Sequence, residues 1–199
     1  MAIKLTVPFV TQLNIGGHAI KQSRMDKLLG KPKARGWDDW TGCWYASACM
    51  VGYFFSAGPR MGVPELFVNG SGHVATGTSA AFALEQKHHD LLAERENLKP
   101  VAGCTSSKVF SVDEIEKLLS TNGPIFMYWT KAHGTSSYGH ASVIVGVTAS
   151  SIIYHDPESG PDQVMSIGTF NNVRQKWKYA LMQKDFATNP TVGGGATAY

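Results

Sequence analysis

Cys43 lies in the run Trp40-Thr41-Gly42-Cys43-Trp44-Tyr45-Ala46-Ser47-Ala48-Cys49-Met50, where a polar loop gives way to an apolar helix. A thiol at that junction is placed as a nucleophile would be. Only the thiolate attacks, and the first turn of a helix favours negative charge through its unpaired backbone N–H groups and macrodipole. Thr41 is the expected N-cap. Most free cysteines are simply small buried hydrophobes, so the reading needs a base. Tyr138-Gly139-His140-Ala141-Ser142-Val143-Ile144-Val145 supplies one, at the mouth of a β-branched run that reads as a buried strand. A second strand, Ser151-Ile152-Ile153-Tyr154, leads into His155-Asp156-Pro157, and Glu158-Ser159-Gly160-Pro161 then supplies turn chemistry. His140 and Asp156 lie eight residues either side of Thr148. A hairpin folded there sets them on neighbouring strands about 5 Å apart. Alternation turns His155 to the opposite face, which leaves Asp156 to orient the imidazole. Together the three residues spell acyl transfer by an activated thiol.

The elements that must hold them form an α-rich front and a β-rich back. Leu5 to Val10 reads as a short strand, followed by a long connector over 14–42 with breakers at Gly30, Pro32 and Gly36. Such connectors are usually functional, and this one is expected to shape or cover a cleft. Residues 43 to 55 form a central helix, apolar nearly all round and therefore buried, which Gly58 and Pro59 end. A second helix is expected from about Ser79 to Leu98 and a third from Val112 to Leu119, where Ser111 and Glu114 stand at capping-box spacing. Strands are expected near 124–129, 141–148, 151–155, 162–167 and 178–183, with a helical turn near Thr169 to Lys176. The fold class is α+β, one domain over 1–185, with a flexible tail over 186–199 rich in glycine.

In these motifs the chain resembles papain-like cysteine peptidases: Gly42-Cys43-Trp44, Gly139-His140-Ala141 opening a Val/Ile strand, and Asp156-Pro157 look like that family's Cys, His and Asp/Asn elements. The nearest likeness is to compact bacterial forms, the effector-type papain-fold proteases and the peptidase domains of bacteriocin exporters. It extends from Val7-Pro8-Phe9-Val10-Thr11-Gln12 to Met165–Phe170 and Trp177. The resemblance implies a papain-like fold, with a central N-terminal helix carrying Cys43 packed on an antiparallel sheet carrying His140 and Asp156. It implies a thioester mechanism and makes Gln12, after the first strand, the side-chain oxyanion donor beside the Cys43 N–H. It also implies a protein or peptide substrate, with a regulatory or immunity partner. Two departures stand out: Trp40 occupies the place of a cysteine in the plant and lysosomal signature, and His140 follows Cys43 by 97 residues. In that branch the separation is about 130–150.

Composition narrows the classes. The 199 residues are 43% hydrophobic and 17% charged, enough for one proper core. A net charge of +3 is dispersed, and the densest basic stretch, Lys27 to Arg35, reads as a solvated loop, so nucleic-acid binding is not expected. Three cysteines cannot all pair, and Cys49 sits inside the helix that Cys43 begins, so no disulfide framework is expected. Cys104 reads as structural. His18 and His73 fall in glycine-rich loops, His133 in a loop without a carboxylate, and His88-His89 on a solvated helix face without ligand spacing, so no metal or cofactor is expected. Trp37, Trp40, Trp44 and Trp177 read as packing, with Asp38-Asp39 between the first two. No run approaches eighteen apolar residues, and the start is too strand-like for a secretory peptide, so the expectation is a cytoplasmic protein or one exported without a cleaved signal into a host or rival cell. Two other classes keep the same residues: a cell-wall peptide amidase, deamidase or transglutaminase-like acyltransferase, and an inactive papain-fold binding module. Intact Cys43, His140 and Asp156 argue against the latter.

Overall fold

A computed structural model describes residues 2–13, 42–55 and 89–185. The expected connector, the tail, Trp37, Asp38, Asp39, Trp40 and Thr41, and the loops bearing His18 and His73 lie outside them, as does the start of the second expected helix. The described elements are β1 (Ile3–Lys4), α1 (Cys43–Phe55), α2 (His89–Glu96), β2 (Leu98–Pro100), α3 (Val112–Asn122), β3 (Ile125–His133), β4 (Ser136–Val147), β5 (Ser151–Asp156), β6 (Gly160–Ser166), α4 (Ile167–Val173) and β7 (Leu181–Lys184). Among the described residues no helix is long and apolar enough to cross a membrane.

Seven antiparallel strands form one sheet in the order β2-β7-β3-β4-β5-β6, with β1 also on β4. Strand alternation divides its apolar residues between two cores. Phe126, Ala141, Val143 and Val145 pack with Trp44, Ala48, Met50 and Val51 of α1. Ile125, Met127, Trp129 and Ile144 pack on the other face with Phe110, Ile115 and Leu119 around α3, and with Phe170 of α4. α1 is buried on nearly every side, as its all-round apolar sequence requires. Its first i→i−4 bond, Ala46 N–H to Gly42 O at 3.0 Å, makes Gly42 the cap position in place of Thr41. α3 carries both bonds of its capping box between Ser111 and Glu114 and runs three residues past the expected end, to Asn122.

The first strand differs from expectation. It covers Ile3–Lys4, with Leu5 N–H adding a bond to Val145 O, and not Leu5 to Val10. The reason is space along β4. From Ile144 onward toward His140 the flank is held by β3, beginning with Ile125 opposite Ile144, so β1 has a seat only beside Gly146 and Val147. Even there it comes so close that a Cβ on Gly146 would lie 2.6 Å from the Ile3 carbonyl, which only glycine tolerates. Beyond Leu5 the chain, carrying Pro8, crosses to the turn after β5, where Gln12 N–H meets Pro157 O at 3.0 Å.

Other boundaries shift for similar reasons. β3 and β4 run on to His133 and Ser136, so His140 lies within its strand and not at its mouth. The second expected helix stops at Glu96, where Asn97 takes φ 58°, and Leu98–Pro100 becomes an edge strand on β7. His89 is fully buried, against the expectation of a solvated face, with its ring edge-on to Tyr128 and Trp177 at 5.0 and 5.6 Å. Periodicity on that short helix could not reveal that its polar side meets a sheet.

Candidate active site

The position of the thiol follows from the hydrogen bonding of β4. Tyr128, opposite Ala141, turns its N–H to Ala180 O and its carbonyl to Gln175 N–H, so the Tyr128–Ala141 pair exchanges no bonds. The Ala141 N–H therefore points away from β3. On that side the ladder to β5 begins only at Val143 opposite His155, and Cys43 Sγ accepts the Ala141 N–H at 3.4 Å. Helix α1 thus begins against the part of β4 that outruns its neighbour. Cys43 is buried, and as the first residue of α1 its own N–H belongs to the donors a helix leaves without an internal partner.

His140 Nε2 meets Asp156 Oδ1 at 2.7 Å, both side chains being 1% exposed. The hairpin is not symmetric about Thr148 as the spacing suggested. Thr148 N–H bonds Ser151 O, and a bulge between Ile144 and Gly146 shifts the register, so Val143 faces His155. Continued one step, that register sets Asp156 opposite Ser142. His140 is then the diagonal neighbour on the same face, still within reach of a long side chain. His155 points to the other face, as alternation requires, with Nε2 on Val7 O at 3.1 Å and Nδ1 accepting the Asp162 N–H at 3.2 Å.

Electrostatics couple the three groups. Burial alone would lower the His140 pKa, but its bonds to Asp156 and to Cys43 outweigh that and push it up to about 9. Burial would likewise raise the Asp156 carboxyl; the His140 bond, the imidazolium charge and Lys131 together hold it well below the usual carboxylate range. With Nε2 occupied by Asp156, Nδ1 is the ring nitrogen left to exchange a proton with the thiol. Tyr128, half-buried nearby, is pushed up to about 12 by burial and then by the charge of Cys43. Cys104 lies against Arg174 Nη1 at 3.7 Å, and burial pushes its thiol up.

Gln12 is buried, and its backbone bond to Pro157 O, with Thr11 Oγ1 on the same oxygen at 3.1 Å, ties it to the turn directly after Asp156. His133 ends β3, exposed, with its ring tilted against that of Tyr138 at 6.2 Å.

Several members were missed from sequence. Trp129 lays its edge on the His140 ring at 5.8 Å and is pinned by its Nε1–H to Ser142 Oγ at 3.0 Å. Tyr138 covers another side at 5.8 Å. Lys131 bonds Asp156 Oδ2 and Glu158 Oε2, each at 2.7 Å. The donor atoms of His140, Asp156 and Glu158 lie within 4.8 Å of one another, yet the Lys131 ammonium already joins the two carboxylates, so the protein supplies its own cation. The available signal was the alternation of β3, which continues past Trp129 and brings Lys131 to the Trp129 face.

A thiol at a helix start, an imidazole with one nitrogen free for it, and a carboxylate on the other nitrogen can perform nucleophilic acyl transfer. A family match agrees with that chemistry. The family model described as "Papain-like cysteine protease AvrRpt2" matches residues 34–175, more than half of the chain. Among solved structures, one described as a C39-like peptidase from Bacillus anthracis aligns with a TM-score of 0.43 at 15% identity, covering 92% of this chain and 97% of that one.

Proposed function

This chain belongs to the papain-like cysteine protease family of AvrRpt2 and is a cysteine peptidase, and from that premise we propose that it cleaves a peptide bond through a thioester on Cys43. His140 takes the thiol proton, holds it as an imidazolium and returns it to the leaving amine, while Asp156 fixes the ring. The observation that carries this reading is the Ala141 N–H on Cys43 Sγ beside an imidazole whose far nitrogen is bound to Asp156 at 2.7 Å. The Cys43 N–H and the Gln12 amide are the proposed oxyanion donors. The resemblance to effector-type proteases supports an exported role, with a protein of a host or rival cell as substrate and a regulatory or immunity partner.

The test is to incubate the protein with a denatured protein pool and with peptidoglycan and to sequence new termini by mass spectrometry. New protein N-termini that are missing with Cys43→Ala support a peptidase. Cell-wall fragments or deamidated glutamines without new protein termini would move the reading to an amidase or deamidase.

Gln12 gives a separable expectation. Gln12→Ala should lower kcat about 100- to 1000-fold with little change in KM, because one oxyanion donor is lost. Alkylation of Cys43 by iodoacetamide, which forms no oxyanion, should stay within about threefold of wild type. A loss in kcat under about tenfold would place the second donor elsewhere.

A further inference from the structure

Lys131 has three ammonium donors, and all three are taken: Asp156 Oδ2 and Glu158 Oε2 at 2.7 Å and Ser159 Oγ at 2.8 Å. Glu158 Oε2 also accepts the Tyr138 hydroxyl at 2.5 Å, and the Glu158 N–H returns to Asp156 Oδ1 at 2.9 Å. The Lys131 and Glu158 side chains are only 15% and 20% exposed, so their charges are weakly screened. This network joins β3, β4, β5 and the turn before β6. A peptidase triad needs only one acceptor behind the imidazole, and here that acceptor is itself held between a cation and a second anion.

Among the described residues, the charged and titratable groups facing His140 are Cys43 from α1, Lys131 from β3, Tyr138 on its own strand, Asp156 from β5 and Glu158 from the following turn. Only Cys43 and Asp156 bond the ring. Lys131 and Glu158 act through Asp156, and in opposite directions. Lys131 draws the carboxylate charge toward Oδ2 and away from the imidazolium. Glu158 offsets that cation and restores the negative field.

We propose that Lys131 and Glu158 are positioning residues that set, by opposed charges on Asp156, how tightly His140 holds the proton it takes from Cys43. The inference rests on the peptidase reading given above. In the reaction the proton passes from Cys43 Sγ to His140, and then to the amine nitrogen as the scissile C–N bond breaks and the thioester forms. The cluster itself gives up no proton. A ring that holds the proton too weakly leaves the thiol protonated, and one that holds it too tightly is a poor acid toward the leaving amine. Lys131 guards against the second fault and Glu158 against the first.

The experiment measures kcat/KM against pH for the full chain and for Lys131→Met, Glu158→Gln, Lys131→Arg and the Lys131→Met/Glu158→Gln pair. Loss of one of these two opposed charges should move the His140 titration by about one pH unit. The basic limb should move up in Lys131→Met and down in Glu158→Gln, return close to wild type in the pair and hold its place in Lys131→Arg. In both single variants kcat should fall about tenfold with KM within about threefold. A merely structural role would lower activity with the basic limb unmoved in both single variants, or moved the same way in both, and either result overturns the proposal. Histidine NMR titration in a Cys43→Ala background reads the same displacements without turnover. Opposite displacements there, with a wild-type chain that cleaves no peptide, would sink the peptidase reading and leave the tuning intact. Coincident titrations in an active peptidase would do the reverse. If Lys131→Met does not fold, Glu158→Gln alone decides: a downward displacement supports the proposal and none overturns it.

Discussion

Cys43→Ala and His140→Ala should each reduce kcat for peptide hydrolysis by about 10⁴- to 10⁶-fold, and the double variant should be no worse than either single one. A nucleophile and its base act as a unit, so removing one disables the other and only binding and oxyanion contacts remain. The fold should survive. Cys43 packs at the start of α1 while the body of that helix is held by Trp44, Ala48, Met50 and Val51, and the sheet beneath His140 is held by backbone ladders to β3 and β5. Cys49→Ala and Cys104→Ala should leave turnover within a few-fold of wild type, since both thiols are buried in the packing and Cys104 lies against Arg174. The decisive measurement pairs steady-state kinetics with labelling by a thiol probe. Labelling that survives Cys43→Ala but vanishes in Cys104→Ala would assign the reactive thiol to the wrong end of the sheet.

Asp156→Ala should cost about 10⁴-fold in kcat, as knocking out the triad aspartate alone does in a serine protease. Asp156→Asn should cost less, because its amide oxygen can still accept from His140 and from the Glu158 N–H. Its amide nitrogen must then face the Lys131 ammonium, donor against donor, so it should fall short of wild type. Both variants should also change the pH dependence of stability. The Asp156 carboxyl is depressed in the folded state, so it contributes stability that is present above the unfolded value near 4 and lost as pH falls through the folded one. His140 is raised to about 9, so its contribution is complete below about 6.5, the unfolded value, and lost as pH rises through about 9. The pair therefore stabilises most between about pH 4 and 6.5. Denaturant midpoints measured from pH 3 to 10 should show that dome in the wild type and a flatter curve in Asp156→Ala. Parallel curves, with equal and near-normal rates for both variants, would move the orienting role away from Asp156.

What the sequence determined by itself is local in origin. A thiol where polar residues meet an apolar helix, a histidine at a β-branched strand and an aspartate before a proline are each legible from composition and period, because helix and strand patterns are short-range. The same holds for the α+β class, the buried α1 and the capping box of α3. What only the tertiary structure decided depends on register and on competition for space. The bulge at Ile144–Gly146 made His140 and Asp156 diagonal neighbours, and no count of residues about Thr148 can reveal a bulge. β1 shrank to two residues because β3 already holds the rest of that flank of β4. Lys131, read as the start of the loop after the strand near 124–129, and Glu158, read as a turn, join Asp156 because three antiparallel segments bring residues 131, 138, 156 and 158 to one corner of the sheet. Charge pairing across a sheet follows from distance in space, and the linear pattern of a strand records only which face each side chain takes.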